Sequence, residues 1–224
     1  MEVPAAPRRA LVLFGPPGSG KGTQAKLLSE ALHVPHISTG DMLRERIASG
    51  DPLGRKVQES MAAGRLVGDE VVNQLVADRV AQPDCVDGFI LDGYPRTIAQ
   101  AEVMTGRLAG LGYTPVVVHL KVDYNVIVAR LTGRRQCPQC GTLYNQASHP
   151  PKVTDRCDVE GAVLVVREDD REPVIRERLE AYESQTRPLL EYFAASGREF
   201  HEVEGTFETP QAILKRTCEL LAGR

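Results

Sequence analysis

A chain of 224 residues with 42% apolar and 25% charged residues has the makeup of a folded globular protein and excludes disorder, collagen and coiled coil. Its length is about one and a half times the ~150 residues of a single-domain prior, which predicts one main domain with something small inserted or appended. With 27 Lys+Arg against 30 Asp+Glu the net charge is −3, which argues against the nucleic-acid backbone or an anionic membrane as the main partner. Arg outnumbers Lys 21 to 6; Arg is the residue that grips phosphate or carboxylate with two prongs, and coding bias is the competing explanation. No stretch approaches the ~20 apolar residues of a membrane span, and residues 1–9 lack a signal core, so a cytoplasmic protein is expected. Five Cys, an odd number in a chain this long, point to reduced thiols or metal ligands rather than disulfides.

In chain order, residues 9–14 form a short apolar run that stops at Gly15 and predict a buried parallel strand. Residues 21–32 carry Ala25, Leu28 and Leu32 at helical spacing, giving strand, glycine loop, helix. Apolar runs recur at 88–92 and 116–120, and more weakly at 199–203. Helical patterns over 71–81, 98–108 and 124–131 separate them. This alternation predicts an α/β fold with a mostly parallel sheet. Two stretches interrupt it. Residues 38–67 are helical pieces broken at Gly50-Asp51-Pro52 and Gly64, without a strand. Residues 133–170 hold three Cys, three Pro and many turn residues and predict a loop-rich insert without a conventional apolar core. One long charged helix is expected over 172–195, with Leu179, Tyr182, Leu189, Leu190 and Phe193 on its buried face.

Gly15-Pro16-Pro17-Gly18-Ser19-Gly20-Lys21-Gly22-Thr23 matches the G-x-x-x-x-G-K core of a phosphate-binding loop, placed between strand and helix as that chemistry requires. Its glycines let backbone N–H groups face phosphate oxygens, the helix N-terminus adds partial positive charge, and Lys21 adds a full one. The Ser/Thr that usually follows the lysine is Gly22, so Mg²⁺ is expected to be held mainly by nucleotide oxygens and water. Asp92 ends an apolar run, as a Walker-B acid does, and would orient Mg²⁺-bound water; a strand-end Asp capping the next turn is the simpler alternative. In the insert, Cys137-Pro138-Gln139-Cys140 and Cys157-Asp158-Val159-Glu160 stand 16 residues apart. That is the spacing of paired zinc knuckles, with Glu160 in place of a fourth Cys. Three thiolates and a carboxylate complete a tetrahedral Zn²⁺ shell that would staple a small insert; free thiols in a hydrogen-bonded insert are the alternative.

The Gly-Lys-Gly-Thr form of the loop, with Ser38-Thr39-Gly40-Asp41-Met42-Leu43-Arg44 and Leu91-Asp92-Gly93-Tyr94-Pro95-Arg96, resembles the adenylate kinase family from Leu11 to about Leu221. The insert resembles that family's long lid, whose zinc sites use three Cys plus a Cys or Asp. The resemblance implies a P-loop nucleoside monophosphate kinase: a core (1–37, 68–132 and 171–224), a helical AMP-binding arm (38–67) and a lid (133–170).

The resemblance also implies roles. Lys21, Arg96, Arg134, Arg167, Arg178 and Asp92 would be catalytic. Gly18, Ser19, Gly20, Lys21, Gly22, Thr23, Arg130 and Arg134 would hold the ATP phosphates, with Leu143, Tyr144 and the backbone near Phe207 packing around the ATP base. On the AMP side, Thr39, Arg65, Leu66 and Val67 would touch adenosine, with Gly93, Tyr94 and Pro95 nearby. Gln100 would read the adenine edge. Arg44, Arg96, Arg167 and Arg178 would hold the AMP phosphate or the transferred group. Arg135, Arg171 and Arg176 are left without a role, and Cys85 and Cys218 are expected to be buried or inert. The metal ligands would be Cys137, Cys140, Cys157 and Glu160.

The implied reaction is ATP + AMP to two ADP with Mg²⁺, by a monomer. Another nucleoside monophosphate kinase or a GTP-using AMP kinase is the alternative. A zinc-knuckle nucleic-acid-binding module is a remote one, disfavoured by charge and by the lack of aromatics among the basic residues.

Overall fold

The computed structural model describes residues 8–50 and 52–223; residues 1–7, Asp51 and Arg224 lie outside the description. Strand β1 (Arg8–Phe14) sends Ala10, Val12 and Phe14 into one core cluster and Leu11 and Leu13 into another. A strand covered on both faces reads as an unbroken apolar run, which is why no polar alternation marks it. After it come α1 (Lys21–Leu32), β2 (His36–Ser38), α2 (Thr39–Ala48), α3 (Pro52–Ala62), α4 (Asp69–Val80), β3 (Phe89–Asp92), α5 (Ile98–Gly110), β4 (Tyr113–Lys121) and α6 (Tyr124–Thr132). The insert adds β5 (Arg134–Gln136) and β6 (Leu143–Asn145); the chain ends with α7 (Glu172–Ala181), α8 (Leu189–Ala195), β7 (Glu199–Glu204) and α9 (Pro210–Ala222).

The main sheet has the order β2-β3-β1-β4-β7 with every neighbouring pair parallel, as the alternation of runs predicts. Helices α1 and α9 cover one face through Ala25, Leu28, Ile213 and Leu221. Helices α4, α5 and α8 cover the other through Val72, Val76, Met104, Leu108, Leu189 and Phe193. Leu13 pairs with Asp92 and Phe14 with His119, so the carboxyl ends of three strands meet where the glycine loop begins. That edge is where open α/β sheets bind ligands. Strand β2 was not expected; three residues are too few for a periodicity to show.

The single helix expected over 172–195 is two. A π turn at Tyr182–Thr186 separates α7 from α8, with Arg187 N–H bonded five residues back to Tyr182 O at 2.8 Å, and Pro188 has no N–H with which to continue the ladder. The widened turn places the buried Thr186 hydroxyl so that it donates to Arg96 O at 2.8 Å. The inner face is otherwise as expected: Leu179, Tyr182, Leu189 and Phe193 are buried, and Leu190 is partly so.

The insert does have a core, a small one. Cys137, Tyr144, Cys157 and Leu164 pack together beside the β5–β6 hairpin. Beneath it, Ile127 and Leu131 of α6 meet Ile175 and Leu179 of α7. Among the described residues no helix is long and apolar enough to cross a membrane.

Candidate active site

The glycine loop joins β1 to α1, and Gly20 caps the helix in a left-handed conformation with no side-chain hydrogen bond and no acid in the first turn. The helix N-terminus is therefore left for an external anion. Lys21 Nζ folds onto the loop, donating to Gly15 O at 2.6 Å and Pro16 O at 2.8 Å, with Ser19 Oγ at 3.4 Å. Burial, only partly opposed by Asp92 and reinforced by Arg96, Arg178 and Arg134, draws the Lys21 ammonium down to about 7.

Asp92 lies next to this loop. A Cβ on Gly22 would stand 3.3 Å from Asp92 Oδ2, close enough that the carboxylate would have to shift by a few tenths of an ångström. Asp92 Oδ2 also lies 3.3 Å from His36 Nε2, a neighbour that the sequence reading missed because β2 itself was not recognised.

Arg44, Arg96, Arg130, Arg134, Arg167 and Arg178, spread over 135 positions of the sequence (44 to 178), all line one open cleft of about 860 Å³ together with the loop. Positive charge is held there by few acids. Asp41 pairs with Arg44. Asp170, its side chain wholly buried, accepts from Arg178 Nη1 at 2.8 Å and lies 3.3 Å from Arg134 Nη1. Asp169 is 3.2 Å from Arg178 Nη1; burial pushes its carboxyl up, but Arg178, Arg44, Arg167 and Arg134 outweigh that and hold it below the usual range. Burial, then Arg44 and Arg134, pulls Arg167 down to about 10, which still leaves it charged at neutral pH. Arg96 is likewise lowered, by burial first and then by Arg178. The Asp169-Asp170 pair was not singled out in the sequence; two adjacent acids between Arg167 and Arg178 were the available signal.

On the arm side Thr39 is buried and its hydroxyl donates to Gly93 O at 2.8 Å. Arg65, Leu66, Val67, Gly93, Pro95 and Gln100 line the same cleft, with Leu43, Met61 and Val72 as further apolar wall. Tyr94 does not belong to this wall. Its side chain is buried on the other side of its loop, where its hydroxyl meets Asn73 Oδ1 at 2.7 Å and Gln100 O at 3.2 Å, which leaves only the Tyr94 backbone on the Gly93–Pro95 side.

On the lid side Leu143, Asn145 and His149 line the cleft. Tyr144 lines it too, yet its ring is buried in the lid core, stacked at 6.0 Å on His149. Its hydroxyl accepts from Asp158 N–H at 2.8 Å and lies 3.5 Å from Cys157 Sγ. The side chain serves the cysteines, which leaves its surroundings rather than its hydroxyl for a nucleotide. Phe207 is 92% exposed and its side chain packs on nothing. The loop before it is fixed by Arg130, which donates to Gly205 O at 2.9 Å and to Ser19 O at 3.4 Å.

The sulfur atoms of Cys137, Cys140 and Cys157 all lie within 4.8 Å of one another. Their surroundings form two matching knuckles. Cys137 N–H bonds Thr142 O at 2.9 Å and Gly141 N–H bonds Cys137 O at 3.0 Å; Cys157 N–H bonds Ala162 O at 2.8 Å and Gly161 N–H bonds Cys157 O at 2.9 Å. In each, the first sulfur accepts from the backbone N–H three residues on, Cys140 and Glu160 respectively, at 3.5 Å. Burial disfavours the Cys157 thiolate, but the Tyr144 hydroxyl and the Glu160 and Val159 N–H groups outweigh it and bring the thiol down to about 6. The donor set suits Zn²⁺, a borderline-soft ion that prefers thiolate. Glu160 thus occupies the backbone position equivalent to Cys140, while its carboxylate is not among the clustered ligand atoms. Cys85 is buried and Cys218 partly so, both as free thiols.

Comparison with known proteins agrees with this geometry. The family model described as Adenylate kinase matches residues 13–198. The chain is 47% identical over 212 residues to an adenylate kinase of Anaeromyxobacter dehalogenans (strain 2CP-C), covering 94% of this chain and 98% of that one. It is 47% identical over 205 residues to one of Moorella thermoacetica (91% and 94%), and 50% identical over 183 residues to one of Methanocella arvoryzae (81% and 85%). With its phosphate loop, the arginines of its cleft and its lid all inside the matched region, the chain belongs to the adenylate kinase family.

Proposed function

We propose that this protein catalyses reversible phosphoryl transfer from Mg-ATP to AMP, giving two ADP. The observation that carries the reading is the convergence of Lys21 and seven arginines, Arg65 among them, on one cleft between the glycine loop and the arm. Phosphoryl transfer passes through a state with charge spread over equatorial oxygens and asks little covalent chemistry of the protein. Positioning and positive charge are what it needs, and this cleft supplies both. The acceptor is a phosphate whose second pKa is about 6; it arrives mostly deprotonated, so no general base is required.

In this reading Gly18 to Thr23 cradle the donor phosphates, and Lys21 leaves the Gly15 and Pro16 carbonyls to follow them. Arg134 and Arg130 approach from the lid and α6. Arg44 and Arg96 hold the acceptor phosphate, and Arg167 and Arg178 reach the transferred group from both sides of the junction. Mg²⁺ bound with ATP would supply charge neutralisation at the phosphates, and Asp92, beside the side-chain-free Gly22, would hold its water. Cys137, Cys140 and Cys157, with Glu160 as the fourth ligand, would hold Zn²⁺, which would staple the lid and take no part in the chemistry. Residues 38–67 and 133–170 close over the two nucleotides, excluding water. We also read the protein as a cytoplasmic monomer that binds neither nucleic acid nor membrane, in keeping with its net charge of −3.

A coupled assay across AMP, CMP, UMP and GMP, with ATP and GTP as donors, tests the reading. AMP with ATP should be preferred, and Lys21→Ala or Arg96→Ala should lower kcat severely in a folded protein. Near-normal turnover in both variants, or faster use of CMP or UMP, would overturn it.

A further inference from the structure

Gln100 lies in the wall of the acceptor pocket, 1% exposed, and its amide is held from two sides by partners of opposite character. Nε2 donates to Asp69 Oδ1 at 2.7 Å, and Oε1 accepts from Arg96 N–H at 2.7 Å. Asp69, the first residue of α4, is itself fixed through Oδ2, which accepts from the Thr97 hydroxyl at 3.0 Å. The same Thr97 oxygen accepts from Gln100 N–H at 3.1 Å, so acid, hydroxyl and amide form one closed network. An ionised carboxylate only accepts and a backbone N–H only donates. Turning the amide over would set oxygen against carboxylate and NH₂ against N–H. One orientation is therefore allowed, and it leaves one N–H and one oxygen lone pair for a base.

We infer that Asp69 is a specificity-determining positioning residue: by locking the Gln100 amide it selects a 6-aminopurine acceptor and rejects a 6-oxopurine. The inference rests on the reading that Gln100 meets the acceptor base. Adenine offers an acceptor ring nitrogen beside the N6–H donor, the complement of one amide N–H and one carbonyl oxygen. At the N1 edge a 6-oxopurine inverts both groups, O6 accepting and N1–H donating, so a locked amide sets oxygen against oxygen and N–H against N–H. A free amide would turn over and recover a match; a locked one cannot. Sites that leave buried polar groups unpaired with the wrong substrate discriminate far better than apolar pockets do. Asp69 attracted no attention in the sequence, where an acid in the first turn of a helix is ordinary.

The test is the ratio of kcat/KM for AMP to that for IMP in Asp69→Asn. Asn offers a donor as well as an acceptor, which releases one of the two locks, since Arg96 N–H remains. The ratio should fall by about fivefold to tenfold, through loss of AMP preference and gain of IMP use. If both substrates decline in proportion and the ratio stays within about twofold, Asp69 is merely structural and the lock is refuted. Should Asp69→Asn fail to fold, the same criterion is read from Asp69→Ser, whose hydroxyl can donate as well as accept and so also removes the acceptor-only partner of Gln100 Nε2. Gln100→Leu separates the two layers. A changed ratio there with an unchanged one in Asp69→Asn sinks the lock alone; an unchanged ratio in both removes Gln100 as the reader of the base, and the inference with it.

Discussion

Asp170 Oδ1 accepts a 2.8 Å hydrogen bond from Arg178 Nη1 while its own side chain has no contact with solvent. Arg134 reaches the same carboxylate from β5 of the lid, so one buried anion joins the lid to core helix α7 and occupies the arginines that a nucleotide phosphate would engage. Removing one member of such a cluster leaves charges unpaired. Because both guanidinium groups retain some exposure, Asp170→Asn should cost about 2–3 kcal/mol, or about 4–12 °C in Tm for a chain of this size. Saturating ADP, whose phosphates replace the lost anion, should recover part of that loss. A Tm deficit identical with and without ADP would mean that Asp170 and phosphate do not share the arginines.

Lys21 carries a pH signature. Its ammonium is drawn down to about 7 in the folded protein against an ordinary value of 10.5, and the sign follows from proton counts. Between about pH 7 and 10.5 the unfolded chain binds the extra proton, so this group makes the nucleotide-free protein more stable as pH rises through that window. Bound phosphates reverse the shift, because an adjacent anion favours the charged form. At pH 8, where ATP itself is fully ionised, ATP binding should therefore take up close to one proton, measured by calorimetry in buffers of different ionisation enthalpy. Lys21→Met should abolish most of that uptake; uptake unchanged in the variant would assign it to another group.

The strands were legible because the parallel sheet buries both faces, so Leu11 to Phe14 and Val116 to Leu120 appear as apolar runs. The glycine loop was legible because its backbone requirement is local. What escaped depends on contacts between distant segments. Asp69 and Gln100 meet 31 residues apart, and His36 and Asp92 meet 56 apart; neither pair leaves a spacing signal. The burial of the Tyr94 side chain was not legible for a related reason, since a motif names neighbours in sequence without saying which side of the loop each takes. The break at Tyr182–Thr186 was hidden by an apolar pattern that continues on both sides of a π turn.

Cys137→Ser tests the staple. Cys137 is fully buried and shares the lid core with Tyr144, Cys157 and Leu164, a cluster too small to hold 38 residues (133–170) on its own. The variant should lose bound zinc and unfold at lower temperature while keeping most of its activity well below that temperature. Glu160→Ala should weaken zinc binding by about tenfold or more if the carboxylate completes the shell, and metal analysis with a competing chelator measures it. Full zinc affinity in Glu160→Ala would place water or another group at the fourth position.

Gly64 seats the arm. It follows α3, adopts φ +70°, and a Cβ there would stand 2.8 Å from Glu177 Cβ and 3.0 Å from Val174 O. Both neighbours belong to α7, which also carries Arg178. An alanine at this position takes on a left-handed backbone costing about 1–2 kcal/mol and must in addition push the arm away from α7. Gly64→Ala should lower Tm by about 4–10 °C. It should also raise KM for AMP several-fold more than KM for ATP, since Arg65, Leu66 and Val67 follow directly while the phosphate loop lies elsewhere in the cleft. The two Michaelis constants, measured with the other substrate saturating and well below the unfolding temperature, decide the matter. An equal rise in both would show that the seat serves the whole core rather than the acceptor side, and a fall in Tm with neither constant changed would reduce it to packing.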